Sequence, residues 1–414
     1  MSDQAGIAPR VQTLDEADRV RQFGWQNNPL EQGTGLALSG GGFRAMLFHA
    51  GALARLNEFG VLSKVKRIAG VSGGSIAAGI LAAKWGSLTA GTSGVFANFK
   101  TAYVDPILDF SKNKLDVRDA LTGLLPFTSI AQQVAGSYDS LLFHGKTLQD
   151  LPENPEFVFC ATNLETGVLW RFTKAYAGDY VVGEIASPKF RLADAVAASA
   201  AFPPVFSPIE LKTSPTDFRD WPSDAGATPK TDPAPFRQKI LLTDGGVYDN
   251  HGVEPIVKRF TTLLVSDGGA PFVRQPDVHT DWLNQLYRVN ELMDNQVRAL
   301  RRRDLIARFQ EGITGATLAA GAAIEDQYGR LGTYWGIDTH PQRTLTDMIP
   351  CSSTVIDRLA AAPTRLTDLG LVTSKQLINW GYAVCDYCVR KYYAAGTATG
   401  TSPPKLPYPE APLQ

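Results

Sequence analysis

Cysteine is scarce in this chain: four residues, Cys160, Cys351, Cys385 and Cys388, in 414. So few cannot frame a disulfide-stapled fold, and the usage fits a reducing cytoplasm. Cys385 and Cys388 form a C-x-x-C, but a zinc site wants a second such pair or nearby histidines, and neither is present. The flanking text, residues 376–393, reads as helix, where i and i+3 share a face, so two buried helical cysteines are expected. Long apolar runs are missing too. The best, residues 76–83 and 316–324, are short and rich in Ala and Gly. They fall well below the roughly 20 residues of a membrane-crossing helix, so only transient peripheral membrane contact is expected. Residues 1–11 have neither the basic region nor the apolar core of a secretory signal. Charge of one sign is also lacking: 40 Lys and Arg balance 41 Asp and Glu, for a net −1. That argues against bulk attraction to nucleic acid or anionic membrane, and nucleic acid is not an expected partner.

What the chain does have is an alternation of short apolar strands, glycine turns and helical text. Residues 1–32 are a polar extension with a short helix expected near 14–22. An α/β unit is expected over residues 33–275, followed by a mainly helical region, 276–414, packed on it. A strand at 35–38 meets Ser39-Gly40-Gly41-Gly42; apolar residues at helical spacing follow, until Gly60 stops that helix. A second strand, 65–71, breaks at Ser72-Gly73-Gly74 and gives way to a small-residue helix, 75–85. Strand, glycine turn and helix, twice over, open an α/β domain with parallel strands. Residues 86–145 read as amphipathic helix and loop with exposed aromatics (Phe96, Phe99, Tyr103, Phe110, Phe127), expected to cap the mouth of a site and meet lipid. Further strands are expected at 156–161, 168–173, 239–243 and 261–266, an Ala-rich helix at 191–202, a surface loop at 211–238, and a loose tail at the C-terminal end.

Three motifs carry chemistry. Gly40-Gly41-Gly42-Phe43-Arg44-Ala45 between strand and helix is at its plainest a tight turn. It also fits G-x-G-x-x-G/A, but a dinucleotide site needs an acid at the end of the next strand, and Gly70-Val71-Ser72 stands there. What such a turn can do is present backbone N–H groups of Gly41, Gly42 and Phe43 to negative charge, as on a tetrahedral acyl intermediate. Gly70-Val71-Ser72-Gly73-Gly74 fits G-x-S-x-G in the strand-to-helix context of a nucleophile elbow. A serine needs a base. Of five histidines, His49 lies inside the first helix, His144, His279 and His340 in loop-like text, and His251 just past the third motif. That motif is Asp244-Gly245-Gly246, after an apolar strand. Its plain reading is an Asp-Gly turn; its functional one is a carboxylate that takes the Ser72 proton directly. Three classes stay open here: a Ser-Asp hydrolase, a Ser-His-Asp esterase using His279 or His340, and a nucleotide-binding module.

Together, Ser39-Gly40-Gly41-Gly42-Phe43-Arg44, Gly70-Val71-Ser72-Gly73-Gly74 and Asp244-Gly245-Gly246 resemble, in order, the three signatures of patatin-like phospholipases. Ala201-Phe202-Pro203-Pro204-Val205-Phe206 and Asp249-Asn250-His251-Gly252-Val253-Glu254 agree further. The resemblance implies an α/β fold of three layers, with a mostly parallel central sheet flanked by helices, and makes 33–275 the catalytic domain. It implies a Ser72–Asp244 dyad, an oxyanion hole at Gly40, Gly41 and Gly42, and hydrolysis of acyl esters in membrane phospholipid or another lipid, with no metal or other cofactor. Ser39 departs from the Asp that many relatives carry there. Some bacterial proteins of this appearance are antiphage effectors, which adds a cyclic-oligonucleotide activator to the implied partners; a homo-oligomer is left open. Arg298, Arg301, Arg302, Arg303 and Arg308, on a helical stretch, read either as a solvated face or as a site for a phosphate-bearing effector or head group.

Overall fold

The computed structural model describes residues 30–115, 128–203, 208–221, 232–318, 329–342, 345, 347–393 and 403–414. The helix expected near 14–22, Phe127, Pro204-Val205-Phe206, and residues 222–231 of the 211–238 loop lie outside the described residues. The chain begins as expected: β1 (Glu31–Leu38), α1 (Gly42–Glu58), β2 (Val65–Val71) and α2 (Gly73–Lys84). Gly60 takes φ 65° just past α1, the left-handed geometry that ends a helix. There follow α3 (Asp105–Phe110), α4 (Thr128–Tyr138), β3 (Glu156–Asn163), β4 (Leu169–Phe172), β5 (Tyr176–Asp179), β6 (Gly183–Ala186) and α5 (Leu192–Ser199). Next come β7 (Ile209–Leu211), β8 (Phe218–Arg219), β9 (Ile240–Asp244), α6 (Gly246–Asp249), α7 (Glu254–Val257) and β10 (Phe260–Asp267). The chain ends with α8 (Trp282–Leu318), β11 (Leu331–Gly336), α9 (Ser353–Ala360) and α10 (Leu371–Tyr392).

One mixed sheet runs β11-β10-β1-β2-β3-β4-β5-β6-β8. Its centre, β11 through β3, is parallel; β4, β5, β6 and β8 continue it antiparallel. Alternation along the central strands feeds two cores. Leu36, Leu38, Ile68, Phe157, Phe159 and Leu264 pack with α1 and α2. Their neighbours Ala37, Ala69, Val71, Val158, Cys160, Leu263 and Val265 pack on the other face with Ile256 of α7 and Leu305 of α8. The architecture is thus three layers, helix, sheet and helix. Region 276–414 enters it through β11 and through α10, which crosses α1 where Gly51 faces the Ile378 carbonyl and Gly381 the Phe48 carbonyl too closely for any side chain. Arg55 of α1 and Asp386 of α10 close the crossing with a buried ion pair at 2.7 Å. Cys385 and Cys388 lie buried in α10, as expected of helical cysteines.

Two expectations fail. The aromatics of 86–145 are not a lipid-facing surface: Phe99, Tyr103 and Phe110 are buried and Phe96 is half-buried. The rings turn inward onto the core: Phe110 packs on Phe43 and Tyr138, Phe99 on Tyr103, and the Tyr103 hydroxyl donates to the Ala77 carbonyl of α2 at 3.0 Å. The amphipathic pattern was real, but its apolar side faces inward. Nor is the C-terminal end a loose tail, since Tyr408, Ala411 and Leu413 are buried. Asn379 of α10 donates to the Tyr408 and Ala411 carbonyls at 2.7 and 2.8 Å and so ties it down.

Candidate active site

β3 brings Ser72 and Asp244 together. Its edge carries β2 in parallel as far as Val71 opposite Cys160. At the next residue, Ala161, the partner becomes Asp244 of β9, running the other way. The C-terminal ends of β2 and β9 therefore meet head to head, one delivering Ser72 and the other Asp244.

Ser72 takes φ 51° and ψ −118°, a conformation L-residues rarely hold. Small neighbours permit it: a side chain at Gly73 would strike the Gly42 carbonyl, and one at Gly74 the Leu38 carbonyl. The Ser72 N–H is held by the Ser199 hydroxyl at 3.0 Å; that hydroxyl also meets Ser75 Oγ at 2.7 Å and donates to the Cys160 carbonyl at 2.6 Å. The Ser199 carbonyl in turn accepts the Gly245 N–H at 3.2 Å, and the Ala201 carbonyl accepts the Asp244 N–H at 3.1 Å. The end of α5 thus clamps both strand ends. Sequence reasoning missed Ser199, which reads there as one polar residue in an Ala-rich helix.

Asp244 is buried. Its Oδ1 accepts the Gly246 N–H at 2.7 Å, while Oδ2 makes no hydrogen bond. Burial pushes the carboxyl up to about 7; the Gly246 N–H and the Ser72 hydroxyl, which favour the ionised form, pull it back only in part, and Asp294 of α8 pushes it up further. Tyr138, on α4, is a second residue the sequence did not reveal. Its hydroxyl is buried without a hydrogen-bond partner, and burial, then the charge of Asp244, hold it well above the ordinary tyrosine range.

The glycine turn narrows the set of N–H donors expected of it. Gly40 N–H donates to the Asn250 carbonyl at 3.0 Å and Phe43 N–H to the Arg365 carbonyl at 2.9 Å. Of the three N–H donors expected of this turn, those of Gly41 and Gly42 have no partner among the described residues. Gly41 (φ 141°) and Gly42 (φ 60°) hold backbone shapes that favour glycine, at the N-terminus of the 17-residue α1. Gly40 serves as space: a side chain there would collide with Asn250 and crowd Ser72.

Behind the turn lies a polar network. Ser39 Oγ accepts the Gly268 N–H at 2.8 Å, and His49 bridges the Ser39 carbonyl and Ser266 Oγ at 2.9 and 2.8 Å. Burial lowers His49 to about 4, so it is neutral at physiological pH. Asp267, of the second Asp-Gly-Gly, receives Tyr334 Oη at 2.7 Å, pairs with His251 at 3.1 Å and lies 3.4 Å from Arg298. Burial alone would raise its carboxyl; Arg298, His251 and Tyr334 together hold it well below the usual range. His144, His279 and His340 are exposed, His340 beside Asp357 at 3.1 Å. The groups acting on Asp244 include no histidine.

Much of the arginine run is ion-paired, and Arg301 and Arg308 also line a pocket together with Arg171, Lys258 and Arg330. Arg298 pairs with Asp267, Arg301 with Glu254 and Asp249, Arg302 with Asp338, and Arg308 with Asp304. It ties α8 to the sheet and to the α6–α7 turn. Arg308 and Arg303 instead bond within α8, to Asp304 and to the Ala299 carbonyl.

The sequence profile of the patatin-like phospholipases matches residues 36–257, more than half of the chain, and the chain belongs to that family. No curated protein sequence matches it. Among solved structures, human GIVD cytosolic phospholipase A2 in complex with methyl gamma-linolenyl fluorophosphonate is 14% identical, covering 89% of this chain and 59% of that one, with a TM-score of 0.46. A further structure of human GIVD cytosolic phospholipase A2 is 15% identical over 63% of this chain and 48% of that one, with a TM-score of 0.38. VipD from Legionella pneumophila is 15% identical over 84% and 67%, TM-score 0.31. The chain thus spans about half to three-fifths of the length of the human enzyme. Likenesses this distant carry no weight for its chemistry, and the fold rests on its own topology and the family match.

Proposed function

We propose that this protein is a lipid acyl hydrolase that cleaves phospholipid or other lipid acyl esters through Ser72 and Asp244. The observation that carries the reading is the pairing of a strained, half-exposed Ser72 with a buried carboxyl whose Oδ2 is unbonded and whose basicity burial has raised to about 7. A carboxylate that basic can take the Oγ proton as the oxygen attacks the ester carbonyl. The charge that develops on the carbonyl oxygen meets the Gly41 and Gly42 N–H groups and the positive end of α1. Asp244 then returns its proton to the departing alcohol, leaving an acyl-serine. Water enters, gives its proton to Asp244 and releases the fatty acid, and Ser72 recovers its own. Asp267 is the wrong carboxylate for this work, because three donors have made it a weak base.

The test is to incubate the full-length protein with mixed phospholipid vesicles and measure released fatty acid. Turnover should survive His279→Ala and His340→Ala; its loss in either would favour a Ser-His-Asp esterase instead. Running the assay with and without cyclic oligonucleotides tests the activator that the resemblance implies.

Ser199 enters as a positioning residue. Ser199→Ala leaves the Ser72 N–H without its acceptor and loosens the clamp on Asp244. We expect kcat to fall about tenfold to a hundredfold with KM little changed, since a misplacement of about 1 Å costs on that order. Ser199→Thr, which keeps the hydroxyl, should recover a good part of it. Equal loss in both variants, or a change confined to KM, counts against the role.

A further inference from the structure

We infer that the N-terminal half of α8, with the segment leading into it, is the surface on which this protein docks to a zwitterionic phospholipid bilayer. The choice of occupant rests on the lipid-hydrolase reading above. Trp282, Leu286, Val289, Met293, Val297 and Leu300 recur at steps of four and three, which puts them on one stripe. In a globular chain such a stripe is normally covered. Here each of the six is 43–77% exposed, Trp282 most of all, at the helix's free end. Leu283, Tyr287 and Leu292 are exposed as well, and Val273 and Val278 extend the apolar surface into the preceding segment. An exposed apolar surface of this kind marks an interaction site.

Its shape and charge point to lipid. A partner helix, including one from a second copy of this chain, covers a narrow seam. Leu283, Tyr287 and Leu292 lie roughly 80–120° around the helix from the stripe, at 100° per residue, where one such partner leaves them in water. Immersion in the headgroup region covers all of them, and a tryptophan at the leading end suits that boundary. Residues 271–300 carry three arginines and four carboxylates. Arg288 is taken up by Glu291 at 2.8 Å and Arg298 by Asp267 and the Ala270 carbonyl. Arg274 alone is left exposed, outnumbered by the carboxylates, which makes no basic face to seek an anionic surface, so attraction is apolar and the matching bilayer is zwitterionic. The surface also adjoins the candidate active site. Asp294, next to Met293, acts on Asp244, and Arg298 anchors the helix at the end of β10.

The experiment uses the full-length protein and its Leu286→Glu/Met293→Glu variant, with Trp282→Ser as a milder second variant should the first misfold. Three quantities are measured: co-sedimentation with phosphatidylcholine vesicles, hydrolysis of phospholipid in those vesicles, and hydrolysis of a water-soluble short-chain ester. The variant should lose vesicle binding and vesicle hydrolysis by about tenfold or more, two charges at apolar positions sufficing for that, and keep soluble-ester hydrolysis. Wild-type binding should change little between low and high salt. Unchanged vesicle binding in the variants overturns the inference, as does a dimer that dissociates in the variant while lipid binding persists. If the wild type binds vesicles but hydrolyses neither ester, the enzymatic reading falls and the docking surface stands.

Discussion

Ser72→Ala should abolish hydrolysis of vesicle phospholipid and soluble ester alike, by on the order of a thousandfold or more, because no other group can form the acyl-enzyme. The fold should persist. Alanine at φ 51° is no more strained than serine, and the hydroxyl is not needed to hold the elbow, whose N–H is bound by Ser199. A change in stability within about 0.5 kcal/mol is expected from a half-exposed site. Ser72→Gly, equally inactive, should be more stable by about 1 kcal/mol as the backbone strain is relieved. Fatty-acid release measured beside thermal unfolding checks both halves. Turnover in a folded Ser72→Ala protein would rule out the nucleophile.

The second large effect separates the two Asp-Gly-Gly aspartates. Asp244→Asn should eliminate turnover, since an amide cannot accept the Oγ proton, yet it should stabilise the protein. A carboxyl raised from its ordinary value to about 7 by folding is most stabilising when protonated. Its contribution is full below the unfolded pKa near 4 and is lost as pH rises toward and through 7. Removing the charge should therefore add on the order of 1–3 kcal/mol at pH 8 and little at pH 4. For the wild type, activity should rise through pH 7 as Asp244 ionises, and this limb of the kcat profile should follow that group. Asp267→Asn should behave the other way. Its carboxylate is depressed by Arg298, His251 and Tyr334, so it supports the fold above pH 4 and fails as pH drops below. Breaking that buried cluster leaves Arg298 poorly compensated and should cost about 3 kcal/mol, while turnover per folded molecule stays largely intact. Both variants compared with wild type at matched folded fraction decide the matter. A dead Asp267→Asn beside an active Asp244→Asn would mean that the base is misassigned.

How much of this could be read from the chain depends on distance along it. β1, the glycine turn, α1, β2, the elbow and α2 were legible because each is set by residues close together: apolar runs, glycines at fixed offsets, Gly60 at a helix end. Ser72 and Asp244 could be named as candidate partners from their motifs, but it was the family resemblance that favoured them over a Ser-His-Asp arrangement. What places them side by side, β3 exchanging β2 for an antiparallel β9 between Cys160 and Ala161, leaves no local trace. The same holds for Ser199 and Tyr138, whose roles depend on what packs against them. Periodicity gives a helix's apolar side but not what that side meets. It placed the aromatics of 86–145 outside when they are turned into the core, and it gave no sign that the stripe from Trp282 to Leu300 would stay uncovered. Arginine partners are as remote: Arg298 finds Asp267, and Arg301 finds Glu254.

The capping of Phe43 by the Arg365 carbonyl has a bearing on how the protein is made. On the proposed reading, a ribosome releases the elbow serine early, the proposed base arrives only with β9, and the turn that would steady the reacting oxygen is finished by a segment between α9 and α10. α10 itself then locks onto the helix behind that turn through Arg55 and Asp386. A nascent or truncated chain ending before this segment carries the nucleophile without a completed site. On the proposed lipid-hydrolase reading such fragments should be inactive, so the order of the sequence would delay activity until α10 has been made.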